Sequence, residues 1–236
     1  MRPLSILLLI VVAACHAEPA RLNSVSGGNV RSELPPGWAD VTTSEFEELA
    51  RDFGPLELSD DDLAALVRSL SSPTTESLRA VILLARSRDL DAREAVLRRL
   101  EERVLGPSRE SDAGDVVGAA ALADWDLEAS HMDRLVALAS DERPHPDVEV
   151  RTEIACVALA HGRDEVVPFL LTVLREGTLD QASEVAWERK PQMAWAKGRA
   201  SEALSRRAGV PLVYEADGAF VDQAREARNL EERILR

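Results

Sequence analysis

The sequence predicts an all-α chain, and three observations carry that prediction. Ala, Leu, Glu and Arg dominate, and all four are good helix formers. Aromatic residues, which favour strands, make up only 4%. Apolar positions recur every three or four residues with almost no alternation of period two.

The first element is an address signal. Arg2 precedes an apolar run of eleven residues, Leu4 to Ala14, that closes on Val12-Ala13-Ala14-Cys15. A helix needs about 20 apolar residues to cross a bilayer. This run is shorter and meets His16, Glu18 and Arg21 at once, so it has the layout of a secretory signal. Two small residues and a cysteine after a branched aliphatic residue resemble the lipobox of bacterial lipoproteins. The resemblance implies that residues 1–14 are removed and that Cys15 carries the lipid, attaching the chain to a bacterial cell envelope at the outer membrane or the periplasmic face. His16 stands where inner-membrane lipoproteins of well-studied Gram-negative bacteria carry Asp. Two other readings stay open: cleavage after Ala17, with Cys15 and Ala17 as its small residues and a secreted or periplasmic soluble product, and an uncleaved core segment.

Residues 15–40 form the expected tether, because Pro19, Ser24, Gly27, Gly28, Pro35 and Pro36 punctuate a stretch without apolar periodicity. Residues 41–73 are expected to supply N-terminal capping helices. Ser44 and Glu47 have capping-box spacing, and Leu63, Leu66, Val67 and Leu70 follow Ser59 at helical intervals.

From 74 to 210 the chain repeats itself. Leu83-Leu84-Ala85-Arg86, Ala121-Leu122-Ala123-Asp124, Ala158-Leu159-Ala160-His161 and Ala203-Leu204-Ser205-Arg206 have central leucines 38, 37 and 45 residues apart. Each phrase is expected to end a helix. The clearest copy runs from Arg151 through Ala158-Leu159-Ala160, turns at Gly162-Arg163-Asp164, and continues as Val166-Val167-Pro168-Phe169-Leu170-Leu171. This stretch looks like a HEAT repeat, in which an Arg-bearing helix with an Ala-Leu-Gly ending is followed by Gly-Asp and Val-Pro-x-Leu. Ala160, Ala123, Ala85 and Ser205 depart from the usual Gly. The resemblance implies a HEAT-like alpha solenoid of helix pairs with N- and C-terminal capping helices, a scaffold that hosts many unrelated roles. Asp164 is expected to cap the second helix, with Pro168 early enough for its missing donor to cost little. In that helix Val167, Leu170, Leu171 and Leu174 make one apolar stripe while Val166, Phe169 and Val173 make another, so both flanks need cover. The tail 211–236, with Val221, Ala224, Ala227, Leu230 and Ile234 in register, is expected to close the array.

Charge narrows the function classes. The net charge of −14 opposes binding to nucleic acid or anionic lipid headgroups. Beyond Cys15, Cys156 is the only cysteine and lies in an apolar run, so it is expected to be a core residue without a disulfide. Asp60-Asp61-Asp62 is expected to be a favourable helix start rather than a cation site. His145, between Pro144 and Pro146, is expected to sit in a connector, and His131 and His161 lack paired metal-ligand spacing. No nucleophile elbow, phosphate loop, zinc motif or dinucleotide fingerprint occurs, so neither a metal, a cofactor nor a catalytic residue is expected. The lengthened last spacing holds Trp187, Lys190, Met193, Trp195 and Lys197, which either seal a widened groove or present a partner surface through Trp187 and Trp195. The resulting expectation is an envelope-anchored protein-binding or scaffolding module for an envelope protein. The alternative is an enzyme or enzyme subunit on the same scaffold, as certain HEAT-like lyases and DNA glycosylases are.

Overall fold

The computed structural model of the chain describes residues 34, 37–39, 56–72, 74–87, 89–105, 113–140, 144–176 and 190–235. The expected address signal with Cys15, nearly all of the expected tether, the expected Ser44 capping box and Trp187 lie outside the described residues. Among the described residues the structure is all-helical, with nine α-helices, two short 3-10 turns and no strand. None of these helices is long and apolar enough to cross a membrane. The chain forms two compact units, residues 1–125 and 126–236.

In the first unit α1 (Asp60–Ser69), α2 (Thr74–Ala85), α3 (Leu90–Leu105) and α4 (Ala113–Ala121) follow one another. Ser59 caps α1 by accepting the Asp62 N–H at 3.2 Å, and its hydroxyl donates to the Asp62 carboxylate at 2.7 Å. The Asp60–Asp62 triplet is therefore a helix start, where carboxylates meet the positive end of the dipole. Leu63, Leu66 and Leu70 turn inward as expected, but Val67 remains 38% exposed. Helix α2 is central, packing on α1, α3 and α4. Its run Ala80–Leu84 is buried all round, with Leu83 and Leu84 at 0% exposure. Helix α4 approaches closely because Gly118 has no side chain: a Cβ there would stand 3.1 Å from Val96 and 3.4 Å from Val81.

The second unit holds α5 (Ala129–Ser140), α6 (Val148–Ala160), α7 (Val167–Arg175), α8 (Lys190–Ala208) and α9 (Phe220–Ile234). Helix α6 packs on α5, α7 and α8, which explains why its sequence lacks a single apolar stripe: Thr152 through Leu159 are all buried. Asp147 caps it, accepting the Glu149 and Val150 N–H groups at 2.8 and 3.1 Å. It ends at the expected turn, where Gly162 adopts φ +83°, a left-handed conformation that disfavours a Cβ. Both stripes of α7 are covered as their pattern requires except at Phe169, which is half-buried, and the neighbouring Pro168 is exposed.

Two further expectations need correction. Asp164 does not cap α7, which starts after a 3-10 turn (Asp164–Val166) without a side-chain cap. The Asp164 carboxylate is taken instead by Arg207 at the end of α8, at 2.6 and 2.8 Å, as a bidentate charge-assisted pair. In α9, Val221 points outward at 78% exposure, and Gln223 takes the inward position beside Ala227 and Leu230. Gln223 is held there because its amide donates to the Ala216 and Gly218 carbonyls, at 2.8 and 3.0 Å, while its oxygen receives the Lys197 ammonium at 2.8 Å.

Candidate functional site

The second unit contains a cleft of about 580 Å³ walled by the end of α5, the loop before α6, the first turn of α6, and α7. Its apolar surface comes from Pro146, Val148, Pro168, Phe169 and Val173. The Arg151 guanidinium stands in this wall. Its carbon lies 3.9 Å from the centroid of the Phe169 ring, and its Nε donates to the Ala139 carbonyl at the end of α5. Three helices thus hold one side chain: α6 carries it, α7 supplies the aromatic platform, and α5 fixes one edge. Burial pulls the Arg151 pKa below its ordinary value, and no carboxylate among the described residues offsets that loss of hydration.

Ser140, Thr172 and Glu165, other polar groups of the wall, are engaged in ways that leave Arg151 the principal donor. The Ser140 hydroxyl donates to the Val136 carbonyl and the Thr172 hydroxyl to the Pro168 carbonyl, both at 2.9 Å. Glu165 is gripped by Arg163, whose Nε and Nη2 lie 3.1 and 3.0 Å from the same carboxylate oxygen. His145 lines the cleft but is only 1% exposed, so the expected connector histidine is a packed residue. Its backbone N–H donates to the Leu138 carbonyl at 2.8 Å, and its Nδ1 accepts the Asp147 N–H at 3.2 Å, which puts the ring proton of the neutral imidazole on Nε2. Behind this wall Glu149 is buried, and burial together with the neighbouring Asp147 raises its pKa to about 7.

The residues singled out from sequence scatter. Cys15 and Trp187 lie outside the described residues, and Trp195 is half-buried on α8, away from the walls of the cleft. Lys197, from the same extension, is turned inward, where burial lowers its pKa. Cys156 is a free, buried core thiol whose Sγ lies 3.7 Å from the Arg199 carbonyl. Burial drives its pKa upward, although the fold does bring a basic group near it that the local sequence lacks, Arg199. That guanidinium is committed to Glu153 at 2.5 and 3.2 Å, tying α8 to α6. His131 accepts the Glu128 N–H through Nδ1 at 3.2 Å, and His161 Nδ1 lies 2.9 Å from the Val157 carbonyl. Among the described residues no three His, Cys, Asp or Glu side chains gather closely enough to hold a metal ion.

The pairing of Arg151 with Phe169 was not among the features legible in the sequence. Both belong to the clearest repeat copy, but Arg151 reads there as a repeat-helix arginine and Phe169 as part of a covered stripe. The chain matches no protein-family model, no curated protein and no solved structure.

Proposed function

We propose that this chain is a HEAT-like helical array that binds another polypeptide at a bacterial cell envelope, held there by a lipid on Cys15. The observation that carries the array is its packing order. Within each unit the principal contacts join helices adjacent in sequence or one helix removed: α1 with α2 and α3, α2 with α3 and α4, α6 with α7 and α8, α7 with α8 and α9. Local stacking of this kind is how repeat proteins bury a continuous core, and such arrays expose surfaces suited to extended partners. The Arg151–Phe169 cleft supports the binding role, since Arg on an aromatic platform is a common anchor at protein contacts. The half-buried Trp195 on α8 offers a second contact surface, and Trp187, outside the described residues, is a further candidate contact on the sequence alone.

Two measurements test this reading. The mass of the native N-terminus should correspond to an acylated Cys15. A free terminus at Glu18 would remove the anchor, and an intact Met1 would overturn the address. Photo-crosslinkers placed at Phe169 and Trp195 in cells should each give a discrete adduct with an envelope protein. Absence of adducts at both positions, with the protein folded and membrane-bound, would sink the binding role.

A further inference from the structure

We propose that the Arg151–Phe169 cleft is a carboxylate site that takes the C-terminal end of a polypeptide finishing in an apolar residue. The inference rests on the polypeptide-binding reading above and names the chemistry that the cleft would recognise.

Charge is the first argument. Arg99, Arg163, Arg199, Arg207 and Arg225 each meet at least one carboxylate, at distances from 2.5 to 3.1 Å. Arg151 meets a carbonyl and a benzene ring. A half-buried guanidinium has given up part of its hydration, and an incoming carboxylate restores what was lost through two parallel N–H···O bonds. The low-dielectric flank makes such a pair stronger than on an open surface.

Preorganisation is the second. The ring of Phe169 lies under the guanidinium and the Ala139 carbonyl fixes Nε, so the orientation of the Nη groups is set before any ligand arrives. Little side-chain entropy remains to be lost on binding. Because the Ser140 and Thr172 hydroxyl protons are spent on backbone carbonyls, these neighbours do not duplicate the Arg151 donor function.

Shape and polarity choose the remainder of the ligand. A cleft of about 580 Å³ falls within the range of roughly 300–1,000 Å³ typical of ligand sites and leaves room beyond a carboxylate alone. The surface next to Arg151 is Pro146, Val148, Pro168 and Val173, which favours an apolar side chain attached close to the acid. Glu165 and Glu176 stand on the same walls, so every negative charge on a ligand meets repulsion and only the one paired with Arg151 is offset; a ligand with one carboxylate and an apolar body therefore fits better than a polyanion.

The test is calorimetric titration of the full chain with the pentapeptide Gly-Ala-Val-Ala-Leu as free acid, with the same peptide as C-terminal amide, and with hexanoate. The free acid should saturate, the amide should bind at least tenfold more weakly, and hexanoate should bind at least tenfold more weakly than the free acid. Arg151→Gln should erase the difference between acid and amide while leaving the helical circular dichroism unchanged. Phe169→Leu should weaken the acid by a smaller factor, because it removes the platform but keeps the charge. Equal binding of acid and amide would overturn the carboxylate assignment while leaving polypeptide binding intact. Hexanoate binding as tightly as the peptide would overturn the polypeptide source and remove this cleft from the support for the proposed function. No saturation by any of the three at millimolar concentration would overturn the site.

Discussion

Two arginines, one in each unit, show how differently a partly or wholly buried cation can be treated. In the first unit Arg99 is 6% exposed and saturated: its Nε donates to Asp115 at 2.7 Å and its Nη1 to Ser77 at 2.5 Å and to the Leu70 carbonyl. Asp115 is itself fully buried and also receives Arg103 at 3.1 Å. The pair ties α3 to α4, while Ser77 and Leu70 bring in α2 and the end of α1. In the second unit Arg151 is half-buried and held by an aromatic face and one carbonyl. The first arrangement is closed and can only be structural. In the second the guanidinium lines a cleft and, among the described residues, meets no carboxylate, which is the group that a ligand could bring. The second unit also knows the closed solution, since Glu153 and Arg199 join α6 to α8 in the same way. Arg151 thus contrasts with Arg199 in its own unit as it does with Arg99 in the first.

Removing the acid from the closed pair has the largest expected effect. Asp115→Ala should cost roughly 3–5 kcal/mol in urea unfolding, because Arg99 is then left charged in the core. A loss below about 1 kcal/mol would mean that water reaches Arg99 and that the two arginines do not differ in kind. Removing both charges should undo most of that damage. Arg99→Met combined with Asp115→Leu should end within about 2 kcal/mol of the parent, since apolar replacement of a buried ion pair is often neutral. Failure to recover would show that the pair's remaining bonds to Ser77 and Leu70, rather than charge, hold the unit.

A third measurement concerns the flank of the cleft. Glu149 titrates at about 7 in the folded chain, against an ordinary value of 4.5, so between those values the folded state binds more protons than the unfolded one. Its contribution to stability is therefore full below about pH 4.5 and is lost as pH rises to about 7. Glu149→Gln should flatten that part of the stability profile and raise the melting temperature at pH 8. An unchanged profile would place the Glu149 carboxyl in water. The smallest effect should come from Arg151→Met, within about 1 kcal/mol of the parent by urea unfolding. The lost cation–π contact and carbonyl bond are each modest, and the relieved desolvation works against them. A loss of 3 kcal/mol or more would make Arg151 structural and erase its contrast with Arg99.

Helix content, the Ser59 start, the Gly162 turn, the interior place of Cys156 and the double-striped burial of α7 were all legible in the sequence. These features depend on interactions within a few residues or on the 3.6-residue period, both of which are written locally. The role of Asp164 was not, because its partner Arg207 is 43 residues away. The inward Gln223 was hidden for a related reason: a polar residue is buried only when distant partners satisfy it, here Lys197, Ala216 and Gly218. The same holds for the cleft. Local chemistry sets which residues are helical and which face is apolar, whereas the docking of α5, α6 and α7 decides that Arg151 meets Phe169 and Ala139 and, among the described residues, no carboxylate. Charge pairing between helices acts through space, and only the tertiary structure brings the partners together or withholds one.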